Sequence, residues 1–193
     1  MKIQHFLLLG AVGLVLGGPA VFAAEPTPAP KKPIREFLHQ YLHGKSYKGE
    51  DLKGAKFTRV NLAKSNFEGA NLDGATFRQV RLTHANFVGS IFGEETKFRE
   101  CTLNEAELEG LDLKGADFHR INLRGANLKN SKGWGDISDC TFCDADLRGA
   151  DFSRAKGDLD TVQWTDAVYD DKTVFPPGVK AEDVGATREV KPE

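Results

Sequence analysis

The sequence predicts an all-β solenoid, in which the chain coils around four flat walls that are each five residues long. Three observations support this prediction. An apolar residue recurs every five positions, a small residue stands two positions before it, and a longer pattern returns about every twenty residues. A period of five fits neither an α-helix nor a plain strand, because their side chains repeat about every 3.6 and every 2 residues.

Each five-residue unit places two side chains inside the coil. Leucine or phenylalanine recurs from Leu52 to Leu128, with one extra residue inserted before Phe98. The small residue two positions earlier points to the same side of an extended chain, so both face inward. The residue between them faces solvent and is often Asn or Asp. The last two residues turn the corner, where glycine is frequent because such turns favour positive φ.

Every fourth unit differs from the other three, and this difference sets the length of one coil. The segments that start at Phe57, Phe77, Phe98, Phe118 and Ile137 begin 20, 21, 20 and 19 residues apart. All five carry a larger residue at the inner small position, namely Val60, Val80, Cys101, Ile121 and Cys140. We therefore expect these segments to stack on one wall, at the spacing of about 4.8 Å between neighbouring strands.

Two units show every feature of the repeat, namely a small residue, Asn or Asp, Leu or Phe, and two turn residues. They are Ala70-Asn71-Leu72-Asp73-Gly74 and Ala150-Asp151-Phe152-Ser153-Arg154. Over residues 47–155 the chain resembles the pentapeptide-repeat family, which implies a right-handed quadrilateral β-helix. Some members of that family mimic DNA and bind topoisomerases, which gives quinolone resistance. That alternative function needs a strongly acidic rod, a dimer and a cytoplasmic location. The nearly balanced charge of residues 51–155 disfavours it here.

The N-terminus predicts an exported protein. Residues 1–24 have the pattern of a cleaved signal peptide, with Lys2 before an apolar run from Phe6 to Leu16. A buried N-terminal helix is the alternative. The apolar run is too short to span a membrane, so we expect a periplasmic or secreted protein without a membrane span. A proline-rich spacer follows at residues 25–33.

Stacked coils expose an apolar cross-section at each end, so the solenoid needs caps. Ile34, Phe37, Leu38, Tyr41 and Leu42 recur at helical spacing, which predicts a short N-terminal capping helix within residues 34–46. The β-helix is then expected at residues 47–169. Residues 170–193 are expected to leave the solenoid as a C-terminal cap and a disordered tail.

The sequence gives little support for an enzyme. Its inward positions are apolar, and two-residue turns are too short to build a pocket. A β-helix enzyme acting on carbohydrate would need an ordered group of carboxylates, whereas the acidic residues here are scattered. We therefore expect no catalytic residue and no cofactor.

We also expect no metal site, because His39 and His43 lack a third ligand. Cys140 is expected to face inward and Cys143 outward, which does not suit dithiol chemistry.

A row of positive charges is the main candidate for a binding surface. We call it the basic stripe, and it consists of Lys56, Arg59, Arg78, Arg81, Lys97, Arg99 and Arg120. These residues fall on or beside the corner that follows the Phe57 segment in successive coils. Trp134 lies in an irregular stretch, either as an exposed anchor or folded over the coil.

The basic stripe suits an anionic envelope polymer or an acidic protein surface as partner. The alternative is that it reflects the ordinary charging of solvent-exposed turns. The formal net charge of -2 gives no reason to expect nucleic acid. Non-enzymatic binding or scaffolding is therefore the predicted function, by a monomer or an end-to-end homodimer.

Overall fold

The backbone bends after every five residues, and four such segments close one coil. The structure is a computed structural model that describes residues 34–189. One parallel sheet contains, in sequence order, β1 (Glu36–Leu38), β2 (Lys56–Thr58), β3 (Thr76–Arg78), β4 (Lys97–Arg99) and β5 (Asp117–His119). A 3-10 helix (Leu159–Thr161) and a second parallel pair, β6 (Val168–Tyr169) and β7 (Thr187–Arg188), follow. The predicted all-β solenoid is confirmed.

The inward side chains define four walls. Wall A carries Phe37, Phe57, Phe77, Phe98, Phe118 and Ile137. Wall B carries Leu42, Leu62, Leu82, Leu103, Leu123, Phe142 and Trp164. Wall C carries Tyr47, Phe67, Phe87, Leu108, Leu128 and Leu147, and wall D carries Leu52, Leu72, Phe92, Leu113 and Phe152. From Leu52 to Phe152 none of these side chains is more than 1% exposed, so they form one continuous core.

The register between coils is direct. Phe57 pairs with Phe77, and Phe77 pairs with Phe98 across the inserted residue. Their rings are stacked at centroid distances of 4.7 and 4.5 Å, with interplanar angles of 4° and 3°. The predicted stacking of these segments on one wall is confirmed. Such aromatic pairs contribute about 0.5–1.5 kcal/mol each beyond the burial of their area.

The residue directly before the larger inward side chain of each unit connects successive coils of a wall, and we call it the ladder residue. It forms a β-bridge with the ladder residue of the next coil, as Asn61 does with Arg81 on wall B. Where it is Asn or Asp, it also closes its own turn. Asn66 Oδ1, for example, accepts a hydrogen bond of 2.9 Å from the N–H of Glu68. This local bond is the physical reason for the frequent Asn or Asp at the outward position.

The prediction of a capping helix at residues 34–46 is wrong. Glu36–Leu38 is strand β1, which pairs with β2, and residues 34–53 form the first coil of the solenoid. Phe37 and Leu42 lie five residues apart and pack on the core, whereas Ile34, Leu38 and Tyr41 are exposed. The five-residue period and the helical spacing coincide over this short segment.

Polar side chains, rather than a helix, cover the N-terminal end of the solenoid. In the first coil the inner small position is occupied by Arg35, Gln40, Lys45 and Glu50, which we call the polar rim. Arg35 Nη1 pairs with Glu50 Oε2 at 2.6 Å, and its guanidinium lies 5.3 Å from the centroid of the Phe37 ring. Long polar side chains can cover an apolar end while keeping their charges in water.

The C-terminal boundary also needs correction, because the chain does not leave the solenoid at residue 170. Val174 forms a β-bridge with Asp151, and β7 pairs with β6. Phe175 packs against Trp164 at a centroid distance of 5.5 Å. The segment expected as a cap and tail therefore adds a further partial coil, as far as the structure describes it.

The predicted signal peptide, the spacer and residues 190–193 lie outside the described residues. Between Ile34 and Glu189 the chain has no apolar helix of the length that a membrane crossing requires.

Candidate binding surface

The corner between walls A and B carries the basic stripe. Lys56, Arg78, Lys97 and Arg99 belong to strands β2, β3 and β4, whose direct register brings them side by side. With Glu100, they line one open depression of about 350 Å³. Four of the seven stripe residues are therefore brought together, as their spacing predicts.

The remaining three stripe residues lie beside this depression. Arg59 and Arg120 are at the corner itself, and Arg81 is a ladder residue of wall B. Arg59 Nε donates to Gln79 Oε1 at 2.9 Å, and Gln79 Nε2 donates to Glu100 Oε2 at 2.8 Å.

Several stripe charges are balanced by nearby carboxylates. Lys56 pairs with Glu36 at 2.9 Å, and Arg120 Nε lies 3.5 Å from Asp139 Oδ2. Longer contacts join Lys97 to Glu95 at 3.7 Å and Arg99 to Asp117 at 3.9 Å. These side chains are partly exposed, so each pair contributes at most about 1 kcal/mol.

Arg78 and Arg81 are the exposed cations of the stripe that have neither an ion pair nor a side-chain hydrogen bond within residues 34–189. Arg59 also lacks an ion pair, but its guanidinium is held by Gln79. Arg78 lines the depression on wall A, and Arg81 lies in two further depressions on wall B. They are therefore the stripe residues that remain available to an external anion.

Positive φ at residues other than glycine occurs at the corner between walls B and C, as at Lys64 and His84, and in six coils of the corner between walls A and B. At the A–B corner the second turn position has a φ between 51° and 58° in six successive coils and is never glycine, since it holds His39, Arg59, Gln79, Glu100, Arg120 and Asp139. The corner between walls C and D has glycine at this position in most coils, as at Gly49, Gly69 and Gly89. Positive φ costs a residue with a Cβ roughly 1 kcal/mol or more. The A–B corner keeps side chains in spite of this cost.

Trp134 is not part of this surface, and its placement as a surface anchor is wrong. Its side chain is fully buried and stacks on Phe152 at a centroid distance of 4.9 Å. It fills the wall D position that Gly133 leaves without a side chain. Gly133 has a φ of 74°, and a Cβ on Gly135 would lie 2.3 Å from the carbonyl oxygen of Gly115. Both glycines are therefore needed to turn Trp134 inward.

The three cysteines are free thiols, and the predicted orientations of Cys140 and Cys143 are confirmed. Cys101 and Cys140 are buried on wall B, while Cys143 is partly exposed. Burial raises the pKa of Cys101 to about 11 and that of Cys140 to about 12. Both buried thiols therefore stay protonated and unreactive at neutral pH.

No group of three potential metal ligands occurs in the described part of the chain.

The ladder of wall B is a candidate surface that the sequence reasoning missed. It consists of Tyr41, Asn61, Arg81, Thr102, Asn122, Thr141 and Gln163. None of the seven is acidic, whereas the ladders of walls A, C and D include carboxylates such as Asp117, Glu107 and Asp112. The twenty-residue register could have revealed this difference, had the outward residues been compared wall by wall.

Comparison with known proteins agrees with the repeat. Residues 60–133 match the family model described as "Pentapeptide repeat region", and residues 136–157 match "Pentapeptide repeats (8 copies)". None of the curated proteins matches the chain significantly.

Several solved structures are similar to the chain. Full-length QnrB1, a plasmid-mediated fluoroquinolone resistance protein, is 14% identical with a TM-score of 0.38, covering 80% of this chain and 93% of that one. A pentapeptide repeat protein from the Arabidopsis thaliana thylakoid lumen is 29% identical with a TM-score of 0.33, covering 63% and 70%. Rfr23 from the cyanobacterium Cyanothece 51142 is 22% identical with a TM-score of 0.28, covering 73% and 91%. The two family models show that residues 60–133 and 136–157 of this β-helix consist of pentapeptide repeats.

Proposed function

We propose that the protein is an exported, non-enzymatic binding module that holds an anionic partner against the corner between walls A and B. The observation that carries this proposal is the pair Arg78 and Arg81, two neighbouring arginines without an ion pair among residues 34–189. Of the other stripe cations, Arg59 donates to the Gln79 amide and the remaining four face carboxylates. Two unpaired guanidinium groups on adjacent walls suit a ligand that supplies carboxylate or phosphate groups.

The backbone of the corner supports the same proposal. Six coils accept positive φ without glycine at this corner, which keeps polar and charged side chains on its edge. Backbone strain that is maintained in a folded protein points to a function for the residues that bear it. Without that function, glycine at these positions would give a less strained solenoid.

The surface suits binding better than catalysis. Its depressions have volumes of about 340 to 410 Å³ and lie open on the sides of the solenoid.

Export is supported by the signal-peptide pattern of residues 1–24. Fractionation of expressing cells tests this part separately, since a cytoplasmic protein that retains residues 1–24 would contradict it.

Charge reversal tests the proposed surface. We would measure binding of the mature protein to poly-glutamate and to polygalacturonate, at low and at physiological salt. Arg78→Glu combined with Arg81→Glu should abolish binding to both polymers, and salt should weaken wild-type binding. The matched control is Lys172→Glu with Lys180→Glu, which changes net charge equally on two exposed lysines far from the corner. Equal losses in both double variants would contradict a defined site, and so would a wild type that binds neither polymer.

A further inference from the structure

We propose that the anionic partner is an acidic polysaccharide, whose strand lies along wall B and contacts its ladder residues coil by coil. This inference rests on the proposed function, since it names the ligand of the same corner. It adds a second surface, the ladder of wall B, and a reason why sugar is favoured over other anions.

Wall B differs from the other walls in the hydrogen bonding between its ladder side chains. On walls A, C and D, ladder residues of adjacent coils bond one another, as Lys56 does with Glu36, Asn127 with Glu107 and Asn71 with Asp51. On wall B, within the described residues, no ladder side chain bonds the next one. The Thr hydroxyls and the Gln163 amide of this wall are therefore available for a ligand. Asn61 and Asn122 close their own turns through Oδ1, which leaves their Nδ2 groups for a ligand.

Wall B is concave along part of its length. Two open depressions, of about 340 and 410 Å³, meet at Arg81 and Thr83. The first reaches Tyr41 in the first coil, and the second reaches Thr102 and Asn104 in the fourth. Together they form a shallow track along the solenoid axis, with Arg81 in the middle.

Asn104 lies beside Thr102 in this track. Its Oδ1 atom is buried and has no hydrogen-bond donor in the described structure. A buried acceptor without a donor costs free energy, which would be recovered if the partly exposed Asn104 side chain turned outward to meet a donor from a ligand. A hydroxyl group is such a donor, whereas an ionised carboxylate or phosphate is not.

The ladder residues of wall B repeat at a regular interval. The seven ladder residues stand at intervals of about 4.8 Å, so they span roughly 29 Å in a straight row. Neutral groups that both donate and accept, here Thr, Asn and Gln, suit a polymer that offers hydroxyl groups at regular intervals. Tyr41, which is 76% exposed, adds a flat ring for contact with a sugar face at the end of the row.

Other anionic partners fit this wall less well. A protein interface typically has a core of apolar and aromatic residues, and on the ladder of wall B only Tyr41 is of that kind. Duplex DNA carries one charge for about each 1.7 Å of its axis, which two unpaired arginines on adjacent walls cannot match. An acidic polysaccharide supplies both the carboxylates for Arg78 and Arg81 and the hydroxyls for the ladder.

A neutral variant separates this inference from the proposed function. Thr102→Ala, Thr141→Ala and Gln163→Ala together remove three ladder groups without changing charge, and none of the three makes a side-chain hydrogen bond within residues 34–189. Affinity for polygalacturonate should fall at least about tenfold, since each lost hydrogen bond contributes modestly. Affinity for poly-glutamate should not change.

The control variant truncates ladder residues of the other walls, Ser46→Ala, Ile91→Ala and Val174→Ala, and should bind both polymers as the wild type does. Circular dichroism would show that all variants keep the fold. If the Thr102 variant binds polygalacturonate normally while the Arg78 and Arg81 variant does not, the inference fails and the proposed function stands. Wild-type binding to duplex DNA as tight as to polygalacturonate would also overturn the inference.

Discussion

Arg35 and Glu50 occupy two inner small positions of the first coil, and their side chains form an ion pair of 2.6 Å. In the second coil the same positions belong to Ala55 and Ala70, which are buried. The first coil therefore differs from the others mainly in having charged side chains on its open end.

We predict that the polar rim prevents end-to-end association. Replacing its four residues with those of the second coil gives Arg35→Ala, Gln40→Val, Lys45→Ser and Glu50→Ala. This variant exposes an apolar end beside a strand edge that has no partner among residues 34–189, so it should form dimers in a concentration-dependent manner. Sedimentation velocity would measure the change. A variant that sediments exactly as the wild type does would show that the rim has no such role.

Trp134 gives a prediction about stability. Because its ring is fully buried between Phe118 and Phe152, Trp134→Ala should lower the free energy of unfolding by about 3–5 kcal/mol. Trp134→Phe should recover much of this loss. Urea denaturation followed by circular dichroism would measure both. A loss below about 1 kcal/mol in Trp134→Ala is the value typical of an exposed side chain and would contradict burial.

Two neighbouring corners give opposite predictions for glycine. Gly69 has a φ of 65° and free space around it, so Gly69→Ala should destabilise the protein by about 1 kcal/mol through backbone strain alone. Lys64 has a φ of 59°, so Lys64→Gly should be neutral or stabilising by up to about 1 kcal/mol. Thermal denaturation of both variants would test the pair, and a destabilised Lys64→Gly would argue against a left-handed residue there.

The thiols give a prediction about reactivity. In the native protein at neutral pH, a maleimide should label Cys143 and leave Cys101 and Cys140 unmodified, since both are buried and their pKa values are about 11 and 12. All three should react in denaturant. Mass spectrometry of labelled peptides would distinguish the sites, and rapid native labelling of Cys140 would place it outside the core.

The regular part of the fold could be predicted because each unit repeats the same physical constraint. Phe77 and Phe98 are 21 residues apart, yet they pair directly, because a corner absorbs the extra residue without moving the next wall. The ends were harder to predict. Phe37 and Leu42 satisfy both a helical spacing and a period of five, and only their pairing with the second coil decides between the two.

The candidate surface was predictable in part. Arg78 and Arg99 could be placed side by side from the register, but their surroundings could not. Whether a charge has a partner depends on side-chain conformations, which the period does not determine. Trp134 shows a similar limit, because Gly133 leaves its inward position empty and moves the next side chain into the core.

Cross-linking of paired cysteines tests the register on which both proposed surfaces depend. Arg78 and Arg99 are direct partners in neighbouring strands, so Arg78→Cys with Arg99→Cys, in a Cys143→Ser background, should form an intramolecular disulfide on mild oxidation. Arg78→Cys with His119→Cys spans two coils, roughly 9.6 Å, and should not. A disulfide in the second variant and none in the first would contradict the four-walled stack and both surfaces.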